Sequence, residues 1–210
     1  MLNTEFIPAA NKNSRQLLVF LHGLGDSAAG WRSLPAELDL PDMNYLLVNA
    51  PDEYFVGWSW FEFPGNMAPG IHRSRQLLFE LLDDLRARNY PADQITLGGF
   101  SQGCLMAIET GLHYPHRLAG IVGISGWVFE LDNLLRQLTP VARSQRLLVT
   151  HGHFDSLIPC ADTRQQIQQL QAAGLAVEWH EFPKDHSVYG AEEMAVIREF
   201  VRAGQAVVGA

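Results

Sequence analysis

Short apolar runs recur along the chain at residues 17–21, 45–48, 95–97, 118–124, 147–149 and 176–182, with segments of helical length between them. Most are too continuous for a strand with one wet face and predict strands buried on both faces, as in a parallel sheet between helices; only the last alternates clearly. Leucines at 77, 78, 81, 82 and 85 repeat at helical spacing with charges opposite, and Pro91 follows, which predicts a helix over 72–89. Further helices are expected over 102–113, over 160–173 with Gly174 behind it, and over 191–203. This alternation predicts an α/β fold with a mostly parallel central sheet and helices on both faces. A length of 210 residues suits one domain over 1–210.

One segment breaks the rhythm. Residues 50–70 hold three prolines, three glycines and most of an aromatic cluster, and loops of that length are usually functional or mobile.

Composition narrows the function classes. The apolar fraction is 47% and the charged fraction 18%, which argues against disorder. A formal charge of −8, with Lys12 and Lys184 the only lysines, provides no basic stripe for nucleic acid and no polybasic attraction to anionic lipid. Any membrane contact is expected to be peripheral, through apolar surface at a lipid-binding cleft. The N-terminal residues lack a basic start followed by an apolar stretch, so a cytoplasmic protein is expected. Cys104 and Cys160, without CxxC spacing, read as free thiols.

Candidate chemistry begins at Gly99-Phe100-Ser101-Gln102-Gly103, a G-x-S-x-G pattern between a predicted strand and a predicted helix. A serine on such a sharp turn projects its Oγ into a cleft, and flanking glycines let strand and helix pass closely. The pattern calls for an acid and then a histidine, each after a later strand. Asp155, on the loop after the 147–149 run, suits the acid, with Asp162 the better cap for the helix that follows. Of eight histidines, only His186 lies between the last strand and the last helix. His113 and His116 fall near a helix C-terminus and His180 within a strand, which are structural positions. The spacing of His151-x-His153 before Asp155 matches no common ligand pattern, so no metal is expected.

After the first buried strand stands His22-Gly23-Leu24-Gly25-Asp26, a loop of the kind that supplies one oxyanion donor, expected at the Leu24 N–H; the second is expected at the Gln102 N–H. Read as Gly23-x-Gly25-x-x-Ala28, the same loop loosely fits a dinucleotide fingerprint. That reading wants an acidic residue at the end of the next strand, where Asn49 and Ala50 stand instead, and it leaves serine, acid and histidine unexplained. A non-catalytic binding module would normally lack a triad member, and none is missing.

HGLGD at 22–26, GFSQG at 99–103, ISGW at 124–127, HGHFDSLIP at 151–159 and DHSV at 185–188 resemble, in order and spacing, the blocks of the small carboxylesterases, phospholipase-like esterases and acyl-protein thioesterases of the α/β-hydrolase superfamily. The resemblance covers nearly the whole chain. It implies a hydrolase of acyl esters or thioesters without a large lid or cofactor, with Ser101, Asp155 and His186 as triad and Leu24 and Gln102 as oxyanion donors. The implied substrates are small or lipid-like acyl esters and thioesters, with lysophospholipids and acylated proteins as alternatives. Cys104, where the family often repeats glycine, and Asp185, where a glycine usually precedes the histidine, are departures. Trp58, Trp60, Phe61, Met67 and Leu157 are expected to contribute to an acyl groove, although the aromatics among them suit a core equally well. Exposed aromatics near the cleft permit a homodimer.

Overall fold

The computed structural model describes residues 1–205. Seven strands form one sheet: β1 (Thr4–Ile7), β2 (Leu17–Leu21), β3 (Asn44–Val48), β6 (Ile95–Phe100), β7 (Gly120–Ile124), β8 (Arg146–Gly152) and β9 (Ala176–Phe182). A separate hairpin, β4 (Asp52–Tyr54) and β5 (Gly57–Ser59), lies within the 50–70 segment. The spatial order is β1-β3-β2-β6-β7-β8-β9, parallel throughout except for β1, which pairs antiparallel with β3.

Side-chain alternation divides the apolar strands between two cores. Leu17, Val19 and Leu21 of β2 join Leu46, Val48, Leu97, Leu147 and Val149 on one face. That face is covered by α2 (Met67–Ala87), α3 (Gln102–His113), α4 (Leu131–Gln137), α5 (Pro140–Ser144) and α6 (Cys160–Ala172). Leu18 and Phe20 face the other way with Tyr45, Leu47, Val122, Ile124 and Leu148, beneath α1 (Leu34–Leu38) and α7 (Ala191–Gln205). Burial on both faces is what makes the runs read as continuous rather than alternating.

From β2 the chain steps to β3 on one side and later to β6 on the other, so the strand order reverses between β2 and β6. Ligands in open α/β sheets bind at such a point, beyond the carboxyl ends of the strands. The loops after β2, β6, β7, β8 and β9 all emerge at that end.

Candidate active site

Between the last residue of β6 and the first of α3 there is room for Ser101 alone, which turns the chain with φ 55° and ψ −115°. This conformation is costly for a residue with a Cβ and persists only where its surroundings enforce it. The Ser101 N–H donates to the Ile124 carbonyl at 2.9 Å, and its own carbonyl accepts from Leu105 N–H at 3.2 Å. The flanking glycines are sterically required: a Cβ at Gly99 would lie 2.2 Å from the Gly103 oxygen, and one at Gly103 would lie 2.1 Å from the Leu21 oxygen.

From β8 and β9 come the other two side chains. His186 Nε2 stands 2.9 Å from Ser101 Oγ, and His186 Nδ1 stands 2.7 Å from Asp155 Oδ2. The Asp155 side chain is fully buried, so its charge must be met by donors. Its Oδ1 accepts from the N–H groups of Leu157 at 3.0 Å and Ile158 at 2.8 Å, leaving Oδ2 for the imidazole. With that carboxylate on Nδ1, the neutral ring carries its proton there and presents an Nε2 lone pair to the serine hydroxyl. Asp185 is exposed and makes no ion pair with His186 among the described residues.

Two loops meet over Ser101. The N–H groups of Leu24 and Gln102 have no backbone acceptor among the described residues; Leu24 lies in the turn after β2, and Gln102 opens α3, where the first N–H groups have no intrahelical partner. His22 fixes the first of these loops. Its Nδ1–H donates to Gly23 C=O at 2.6 Å and its Nε2 accepts from Ala50 N–H at 3.1 Å, a pairing that requires the neutral ring. Burial pushes the His22 pKa down, in keeping with that tautomer.

A cavity of about 280 Å³ opens beside Ser101 and His186, lined mainly by Leu24, Phe63, Phe100, Trp127, Leu157 and Ile158. Only Leu157 of the expected groove residues is among its walls. Trp60 and Phe61 are completely buried and belong to the core: Trp60 Nε1–H donates to His22 C=O at 2.9 Å, and the Trp60 carbonyl accepts from Ser74 Oγ at 2.6 Å. Trp58 zips the hairpin to the glycine loop, its N–H donating to Asp26 C=O and its carbonyl accepting from Gly25 N–H, both at 2.9 Å. Met67 opens α2 and packs on the core. These four therefore support the site rather than line it, because the segment carrying them turns inward under the Gln102 side chain. The walls that sequence reasoning missed, Phe63, Phe100, Trp127 and Ile158, lie at or just beyond the carboxyl ends of strands or on the 50–70 segment. Trp127 follows β7 at the ligand-binding end of the sheet, a position that could have flagged it.

His151 and His153 do not act together. His151 is buried; its Nε2–H donates to Ile158 C=O at 2.9 Å, and burial pushes its pKa down. His153 instead joins Cys160 and Glu181, with donor atoms within 4.8 Å of one another. The Glu181 carboxylate already takes Arg164 through two oxygens at 2.5 and 2.6 Å, and that pairing holds its pKa at about 2. Cys104 is completely buried behind the Ser101 turn, and burial pushes its thiol up to about 12.

A mostly parallel sheet whose functional loops gather at the carboxyl ends, with a serine on the strand-to-helix elbow, defines an enzyme of the α/β-hydrolase class. Within that class the chain belongs to the phospholipase/carboxylesterase family, whose model matches residues 2–204. It is 33% identical to acyl-protein thioesterase 1 of Schizosaccharomyces pombe over 73% of this chain and 76% of that protein. It is 31% identical to acyl-protein thioesterase 1 of Yarrowia lipolytica over 86% and 88% of the respective lengths. Among solved structures, esterase PE8 superposes with a TM-score of 0.86 at 25% identity, covering 96% of this chain and 98% of that one. A carboxylesterase of Bacillus cereus shares the fold with a TM-score of 0.82 at 20% identity, over 97% and 95% of the two chains. The protein is accordingly a serine hydrolase of carboxylic esters or thioesters. Among the described residues no helix is long and apolar enough to cross a membrane.

Proposed function

We propose that Ser101 is the nucleophile, His186 the general base and acid, and Asp155 the residue that orients it, in the hydrolysis of an apolar acyl ester or thioester. The observation that carries this reading is the continuous hydrogen-bonded path from Ser101 Oγ to Asp155 through His186, with links of 2.9 and 2.7 Å. Ser101 Oγ adds to the acyl carbonyl as its proton passes to Nε2. The N–H groups of Leu24 and Gln102 stabilise the oxyanion, and each such donor is worth roughly 2.7–4 kcal/mol. Collapse expels the alcohol or thiol, protonated by His186, and leaves an acyl-serine. Water, deprotonated by the same nitrogen, then releases the carboxylic acid and restores the hydroxyl.

The apolar cavity supports an acyl chain as the bound moiety, and the family supports a thioester as well as an oxygen ester. Similarity to two acyl-protein thioesterases favours an acylated protein as the natural substrate, with a lysophospholipid as the alternative. Burst kinetics on a short-chain nitrophenyl ester and a long-chain acyl thioester test this. A burst present in the wild type and absent in Ser101→Ala supports the acyl-enzyme, and the ratio of the two rates assigns the preferred leaving group. No turnover of either substrate rejects the reading.

A further inference from the structure

One carboxylate ties both ends of the turn that carries His186. Glu193, completely buried in the first turn of α7, accepts from Lys184 Nζ through Oε1 and from Tyr189 N–H through Oε2, each at 2.6 Å. The two partners lie two residues before and three after His186. Lys184 is also buried, with 4% of its surface exposed, and its backbone reaches the other loops of the site. Its N–H donates to Phe182 C=O at 2.8 Å at the end of β9, and its carbonyl accepts from Phe154 N–H at 3.0 Å, one residue from Asp155.

A buried ion pair is not needed for stability alone, since an apolar pair of similar volume usually serves the fold as well. Burial pushes the Lys184 pKa down despite the attraction of Glu193 and Asp155, so the ammonium is held at a cost. What the pair provides that an apolar contact would not is direction: two short bonds from one rigid helix to both flanks of the base.

We propose that Lys184 and Glu193 are positioning residues of the active site: Glu193 holds the 184–189 turn so that His186 meets Ser101 and Asp155 together, and the Lys184 ammonium ties to α7 the end of that turn whose backbone carbonyl bonds the acid loop. Neither side chain contacts the reacting atoms. The inference rests on His186 being the base.

The test compares the wild type with Glu193→Gln, Lys184→Met and Lys184→Met/Glu193→Met by burst kinetics on a nitrophenyl ester and by the low-field proton resonance of the His186–Asp155 hydrogen bond. Both single variants are expected to lower kcat and the acylation rate on the order of 10- to 100-fold, with KM within about twofold and the resonance broadened or lost. Should the single variants fail to fold, the double variant leaves no orphaned charge and is expected to fold yet stay slow, because Tyr189 has lost its tether. A wild-type acylation rate and an unchanged resonance in any folded variant would overturn the proposal. Failure of the triad reading has a different signature, a burst that survives Ser101→Ala or is missing from the wild type.

Discussion

Gln102 Oε1 accepts from the Trp60 N–H at 3.0 Å, and Gln102 Nε2 donates to the Phe61 carbonyl at 3.0 Å. The residue after the proposed nucleophile therefore holds the inward-turned part of the 50–70 segment with its side chain, while its N–H has no backbone acceptor among the described residues. Gln102→Leu strands the buried Trp60 N–H, whereas the Phe61 carbonyl still accepts from Ser59 Oγ at 2.7 Å, and the change is expected to cost on the order of 1–3 kcal/mol, read from urea unfolding. Activity should fall far less than in Ser101→Ala, since the backbone donor is retained.

Asp155→Asn is expected to lower kcat about 10⁴-fold with little change in stability. The amide oxygen can still accept from Leu157 and Ile158, so the loop survives, whereas the amide nitrogen facing His186 disfavours the tautomer that activates Ser101. Steady-state kinetics beside thermal unfolding separate the two effects.

Acyl-chain preference should follow the cavity walls rather than the buried aromatics. Phe63→Ala and Trp127→Ala are each expected to change the ratio of kcat/KM between long and short nitrophenyl esters by about 1–3 kcal/mol. Their rings lie 6.0 Å apart, so the two effects should not add. Trp60→Phe, which loses the bond to the His22 carbonyl, should lower the melting temperature and leave the ratio unchanged.

Acid should destabilise the fold through two imidazoles. His22 and His151 have pKa values pushed below the ordinary 6.5 by burial, so the unfolded chain binds their protons first. Stability is then fully present above about pH 6.5 and is lost as pH falls from there through the folded-state values. The slope is at most about 1.4 kcal/mol per pH unit for each proton. Urea midpoints from pH 7.5 to 5 check this, and His22→Gln, whose amide oxygen can accept from Ala50 N–H, should flatten the curve.

β2, β3, β6, β7 and β8 were legible because a strand covered on both faces leaves a continuous apolar run, and β9, at the sheet edge, was legible by its alternation. β1 was not: its four residues sit at the sheet edge, alternately exposed and half-buried, and carry too short a pattern. The hairpin of β4 and β5 was hidden by its turn-rich context, and α2 begins at Met67 rather than 72 because Pro69 and Gly70 read as loop residues although both lie in its opening turns. Ser101, Asp155 and His186 could be placed by chain order relative to strands. The cavity walls could not, because an aromatic on a loop carries no period to say which way it faces: Trp60 and Phe61 turn inward, and Phe63, two residues further on, turns outward.

Leu157 is largely exposed at the mouth of the cavity, yet its N–H is one of the two that fix Asp155 Oδ1. On the proposed mechanism, substrate contact and the aim of the acid thus share a single turn, and sequence change there would trade selectivity against rate. Phe63 stands on a segment that supplies no triad atom, which makes it the freer ground for lineages of this enzyme to diverge in the acyl groups they accept.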